Sequence, residues 1–170
     1  ELGFATTLDY LEHCARLVLE RTGLLPHLNA GHVTREKGVP TASYGAMYNM
    51  ANRTRDAQSF ASIGYTKDVS DTLELSTRLD WGRVAYTGVG PYPDDEGNPR
   101  TNVDGAQASW YAMNATATYS GLAGHKLLVG VDAQRNARLK QYNFDLDPYE
   151  VAMDDRRTAT RAGVFIEDEA

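Results

Sequence analysis

The feature that most constrains this chain is a period-two alternation of apolar and polar side chains, held for nine or more residues at a stretch. Leu73, Leu75, Leu79 and Trp81 share one parity, and Glu74, Ser76, Arg78 and Asp80 share the other. Tyr111, Met113, Ala115, Ala117 and Tyr119 oppose Ala112, Asn114, Thr116 and Thr118; Leu127, Val129, Val131 and Ala133 oppose Gly130, Asp132 and Gln134. Successive side chains of a strand point to opposite faces, so each run specifies a two-faced strand. Strands of globular proteins usually run about five or six residues. A tilted strand that crosses the hydrocarbon core of a membrane needs about 9–11.

The connections carry a second pattern. Short turns are expected at Asp68–Thr72 and Ser120–His125, and long connections at Gly38–Asn52, Gly88–Gly105 and Asn143–Arg157. Short and long connections in alternation are the rhythm of an outer-membrane barrel, with tight periplasmic turns and extended outer loops. Strands are expected near 28–37, 54–67, 73–87, 107–119, 126–142 and 158–168. The fold class is therefore mainly β: an antiparallel up-and-down meander of about six long strands, a partial transmembrane barrel. Six strands do not close a wide barrel and leave two bare edges.

The first residues differ in kind. Leu8, Leu11, Ala15, Val18 and Leu19 recur at three- and four-residue steps, between Asp9, Glu12, Arg16, Glu20 and Arg21. That pattern predicts one amphipathic α-helix before the meander, capped by Thr6 or Thr7 and ended by Gly23 and Pro26. Residues 1–29 form the helix and junction, and 30–170 the barrel segment.

Composition removes several classes. A net charge of -6 and a pI near 5.2 argue against nucleic acid as a partner, which favours a clustered basic surface. A mean hydropathy of -0.48, with no apolar run near 18 residues, excludes a transmembrane helix but not a barrel, whose alternating strands average out as hydrophilic. Cys14 is the sole cysteine, so cysteine can build no internal disulfide, zinc cluster or iron–sulfur site. The chain opens on Glu1 without a basic segment and apolar core. A complete outer-membrane protein needs such a leader, so the expectation is a mature, truncated or partial chain.

Three stretches carry a family resemblance: Thr34 to Tyr44; Ala108-Ser109-Trp110-Tyr111 through His125 to Asp132; and Asp154-Asp155-Arg156-Arg157 into Arg161-Ala162-Gly163-Val164-Phe165-Ile166-Glu167-Asp168-Glu169. In order, they resemble TonB-dependent outer-membrane receptors. The resemblance implies a bacterial outer-membrane location with membrane lipid as a partner. It also implies active uptake of a scarce ligand such as a metal chelate, together with a plug domain and the energy-transducing TonB protein. Plug and transducer-contact segment are absent from these residues, so transport by this chain alone is not expected.

The N-terminal stretch resembles another family. Tyr10-Leu11-Glu12-His13 and Glu20-Arg21-Thr22-Gly23-Leu24-Leu25-Pro26-His27-Leu28-Asn29-Ala30-Gly31 are similar to the radical-SAM synthase of the deazaflavin chromophore FO. Ala30 stands where that family has Pro, and the cysteine triad that holds its cluster is missing. Together the two resemblances imply a chimera joined between Pro26 and Gly31.

Candidate functional residues are few. Arg78, Asp80, Asp132 and Arg138 share the polar parity and are expected to face the lumen, where they line a ligand path, contact a plug, or simply wet the interior. His27 and His32 are spaced by five, which suits neither a strand face nor a helical metal pair. Asp94, Asp95, Glu96 and Asn98, like Asp145 and Asp147, lack the ligand spacing of a calcium loop and read as solvated loop. No phosphate loop, Ser-His-Asp order or spaced carboxylate pair stands out. The sequence therefore proposes no catalytic residue, cofactor or metal. The competing readings are a soluble, non-catalytic meander covered by the helix, and an inactive remnant of the FO synthase.

Overall fold

The computed structural model describes residues 27–38 and 52–170. The expected N-terminal helix lies outside them. The described residues form six strands: β1 (His27–Gly38), β2 (Arg53–Ser70), β3 (Leu73–Pro93), β4 (Pro99–Leu122), β5 (His125–Leu146) and β6 (Tyr149–Glu169). They make one antiparallel sheet in the order β1-β2-β3-β4-β5-β6, an up-and-down meander as the alternation predicts.

The two short turns fall where expected and are tighter than expected. Asp71-Thr72 joins β2 to β3, and Ala123-Gly124 joins β4 to β5. Gly124 takes φ 78°, a left-handed conformation open to glycine at little cost. The long connections at 88–105 and 143–157 are not loops. β3 runs on to Pro93 and β4 starts at Pro99, so only five residues remain at that tip; β5 and β6 meet at Asp147-Pro148. Gly88-Val89-Gly90-Pro91-Tyr92-Pro93 reads as loop because it lacks alternation and contains two prolines. Pairing with β4 keeps it extended, through Pro91↔Thr101 and Pro93↔Pro99. Proline lacks an N–H for the ladder and is tolerated at a sheet edge. Among the described residues the β2–β3 pairing ends at Val89, and beyond it β3 is laddered on its β4 side.

At the β3–β4 tip the Asp94 carboxylate accepts hydrogen bonds from the backbone N–H of Glu96 (3.0 Å) and of Asn98 (2.7 Å). Those N–H donors hold its carboxyl below the usual aspartate range. Its side chain organises the turn.

The ladder contains one shift that reorders the faces. β4 and β5 pair Trp110↔Asn136 and then Ser109↔Arg138, so Ala137 is an extra residue in β5. The β5–β6 register slips at the same place, between Asn136 and Leu139. Such a bulge changes which parity of β5 shares a face with β4.

The described residues have no apolar interior. Among the described residues no hydrophobic side chain is buried, while twenty large apolar ones are exposed, including Leu79, Met113, Val131, Val164 and Ile166. The described residues make a single sheet layer, and its apolar surface is not packed against any other described element.

Candidate functional site

Register, followed strand by strand, assembles the outer rows of one face. Leu28↔Ile63, Ile63↔Leu79, Leu79↔Met113, Met113↔Ala133 and Ala133↔Ala162 make one row across all six strands. The next row toward the β3–β4 tip runs Ala30, Ala61, Trp81, Tyr111. Toward the short turns come Tyr65, Thr77, Ala115, Val131 and Val164, then Lys67, Leu75, Ala117, Val129 and Ile166, then Leu73, Tyr119 and Leu127. This is a continuous apolar band. On β4 it begins at Tyr111 and ends at Tyr119, with Trp81 paired to Tyr111. Leu28, Ala61, Ile63, Leu79, Trp81 and Tyr111 line an open groove of about 270 Å³ in it.

The band's height follows from strand geometry. Leu73 to Trp81 is eight steps, about 27 Å along the strand and about 20 Å across the layer at a tilt near 40°. That approaches the ~25 Å apolar band of an outer-membrane barrel with its aromatic girdles.

The opposite face is polar, with bare glycines beneath aromatic rings. Trp110 covers Gly82, its register partner, and Phe165 covers Gly130 in the same way. Phe60 covers Gly31, where an added Cβ would lie 2.6 Å from the ring. Rings laid over cross-strand glycines fill surface that a narrow chain leaves open and pin the register.

Of the sequence candidates, the structure pairs two and sets a third in the same row. Arg78 donates through Nε to Asp80 Oδ1 at 2.8 Å and to Ser62 Oγ at 3.1 Å. Asp132 stands in the Arg78 row, two strands away through Asn114. All three belong to the polar face. Arg138 does not join them. The Ala137 bulge puts it opposite Ser109, in the row of Arg83 and Ser59, on the face that carries the apolar band. Counting by twos from Asp132 fails there because one residue is inserted.

His27 and His32 fall on opposite parities of β1, and His32 Nδ1 lies 2.8 Å from Ser59 Oγ. Among the described residues no three His, Cys, Asp or Glu stand together as metal ligands.

A second polar cluster, which the sequence reading treated as loop, ties the tips of β3–β6 on the polar face. Asp145 is buried and accepts from Tyr92 Oη at 2.7 Å and Asn102 Nδ2 at 2.9 Å. The Arg100 guanidinium lies 3.5 Å from Asp145 and 3.2 Å from Glu150. Asn102 also donates to Asn143 Oδ1 at 2.8 Å. The hydrogen bonds from Asn102 and Tyr92, more than the Arg100 charge, hold the Asp145 carboxyl below its usual range. The bond to Asp145 pushes the Tyr92 phenol up. No local motif marks this cluster. Its members meet only because four strands are in register.

Fold and site define a class: a one-layer antiparallel meander of long strands with one apolar and one polar face. No protein-family model matches the chain, and no solved structure matches it. Similarity does exist to part of a curated family. The chain is 64% identical over 93 residues to the FO synthase of Nocardia farcinica, covering 51% of this chain and 11% of that protein. It is 34% identical over 90 residues to the FO synthase of Mycobacterium leprae, covering 50% of this chain and 10% of that one. With the Mycobacterium tuberculosis protein it is 32% identical over 90 residues. The chain thus spans about a tenth of the length of the curated relatives it matches. A match covering half of 170 residues cannot be contained in the first 29. It takes in part of the described sheet, beyond the N-terminal stretch whose residues carry the resemblance.

Proposed function

We propose that the sheet is a stretch of the wall of a bacterial outer-membrane β-barrel of the TonB-dependent receptor kind, and that these residues perform no catalysis. The observation that carries the reading is the apolar band across all six strands, with no buried hydrophobic side chain among the described residues. In water, that much unpaired apolar surface would drive association, at about 25 cal/mol per Å² left exposed. Facing lipid tails, the same surface costs nothing, and every interior backbone group is already paired in the ladder. The polar face then lines the lumen, with Arg78, Asp80 and Asp132 inside. The extended tips carrying Tyr92 and Asp145 project beyond the membrane on the outer side. Wall strands missing from this sheet, a plug and the transducer complete a transporter.

Two tryptophans test this directly, because Trp81 lies in the band and Trp110 on the polar face. With the chain reconstituted in phosphatidylcholine vesicles carrying brominated tails, Trp110→Phe (leaving Trp81) is expected to be strongly quenched and Trp81→Phe weakly. Equal quenching, or a stable water-soluble monomer, overturns the wall.

The comparisons favour a second reading, a piece of an FO-synthase-like chain. Its supporting observation is the half-chain similarity. With Cys14 as its single cysteine, this chain lacks the cysteine set for such a cluster. Reconstitution with iron and sulfide is expected to give no cluster absorbance, and its appearance would favour the synthase.

A further inference from the structure

Just beyond the aromatic rim of the band the face turns basic. Arg83 and Arg138 share one row with Ser59 and Ser109, and Arg135 stands in the rim row itself, paired with Tyr111. Arg83 and Arg138 are two strands apart, about 10 Å at the usual strand spacing. Neither makes an ion pair or hydrogen bond among the described residues, and both are exposed. Arg135 donates only to neutral hydroxyls, Thr160 Oγ1 at 2.7 Å and Thr158 Oγ1 at 3.4 Å.

Among the described residues the other arginines are paired with acids, except Arg161, which donates to Gln134 Oε1 at 2.6 Å on the polar face. Arg35 is paired with Asp56 at 2.9 Å, Arg78 with Asp80 at 2.8 Å, and Arg157 with Asp155 at 2.8 Å, all on the polar face. In a chain of net charge -6, acids are plentiful. The two rows that hold Arg83, Arg135 and Arg138 contain none. Farther out, Asp154 faces Lys140 and Arg156 and neutralises part of their charge.

We infer that Arg83, Arg135 and Arg138 form a docking row for the phosphate groups of anionic membrane lipids, with the acyl chains lying over Trp81, Tyr111 and the band below. The inference rests on the wall reading, since it needs the band in the hydrocarbon. Charge complementarity selects the occupant. Three uncompensated guanidiniums at the depth where headgroups lie call for an anion that the protein does not supply. A guanidinium binds phosphate oxygens in pairs. Trp and Tyr directly beneath fix the depth of the row at the interface.

The test uses the full chain in two vesicle compositions, phosphatidylcholine alone and phosphatidylcholine with phosphatidylglycerol. Enrichment of a labelled phosphatidylglycerol around Trp81 is read by energy transfer in the Trp110→Phe background. The expected result is clear enrichment that falls about fivefold for Arg83→Ala and again for Arg138→Ala, following roughly 1 kcal/mol per surface cation. Arg157→Ala, on the polar face, is expected to leave it unchanged. Failure to insert into phosphatidylcholine alone sinks the wall reading itself. Insertion without enrichment, or enrichment indifferent to Arg83→Ala and Arg138→Ala, overturns the phosphate row while leaving the wall standing. Inorganic phosphate at fixed ionic strength is expected not to displace the labelled lipid. If it does, the row is a simple anion site and the lipid assignment is wrong.

Discussion

The Tyr92 hydroxyl on β3 donates to the Asp145 carboxylate on β5 at 2.7 Å, reaching across β4. A bond between strands that are not neighbours fastens the sheet where the ladder alone is weakest, near the tips. Tyr92→Phe keeps the ring and removes the donor. Amide hydrogens around 90–102 and 143–150 are expected to exchange on the order of ten- to a hundredfold faster, the effect of losing one hydrogen bond to a charged group. The Leu79–Met113 row should keep its protection. Uniform exchange changes along the sheet would refute a local role.

The same pair sets a pH window. The Asp145 carboxyl is held low, so its contribution is present above its unfolded value, about 4, and is lost as pH falls through the lowered folded value. The Tyr92 phenol is pushed up, so its contribution is present below about 10 and fades as pH rises through the raised value. Proteolysis at the Asp94–Asn98 tip is therefore expected to accelerate at both extremes. Asp145→Asn should remove the acid limb, and an unchanged acid limb in that variant would place its origin elsewhere.

Glycine under an aromatic ring makes a coupled pair. A methyl at Gly82 collides with the Trp110 ring, so Gly82→Ala is expected to destabilise by about 1–3 kcal/mol. In Trp110→Leu the ring is gone and the same change should cost less. A urea double-mutant cycle in vesicles measures the difference; purely additive effects would remove the stacking account.

Placing a cation on either face separates lipid from lumen. Leu79→Arg and Val131→Arg put charge in the band and are expected to cost about 2–4 kcal/mol of folding stability in a bilayer. Asn114→Arg, on the polar face beside Arg78, should cost well under half of that. Equal costs would contradict a one-sided membrane contact.

The bulge makes an unusual prediction about length. Ala137 is the residue with no counterpart on β4 or β6. Removing it leaves Asn136↔Trp110 and Arg138↔Ser109 in regular succession, so the deletion is expected to be tolerated with a modest loss of stability. Deleting Ala133 instead turns over Gln134, Arg135 and Asn136 before the bulge can absorb the shift, and folding yield in detergent should fall further. Equal yields for the two deletions would disprove the register.

Much of the candidate site was legible because its rows are local alternation repeated. The parity of Leu73 to Trp81, or of Tyr111 to Tyr119, is a property of one strand and survives any register that pairs like with like. Arg78 and Asp80 sit two residues apart on one strand, so their meeting was legible as well. Arg138 was misplaced because a bulge is a relation between strands. Ala137 looks like any other residue until β4 and β6 are laid beside it. The tip cluster was missed for the same reason, since Tyr92, Asn102 and Asp145 lie in segments whose prolines and glycines hide the alternation.

By itself the sequence determined the strands, the two tight turns and the apolar parity of each run, because a period of two needs only neighbouring residues. Tertiary structure decided how far the strands extend, where the faces exchange at Ala137, and that Asp145 is buried under Tyr92 and Asn102. Those depend on which backbone lies alongside, and cross-strand pairing holds extended even the Gly-Pro stretch that on its own would turn.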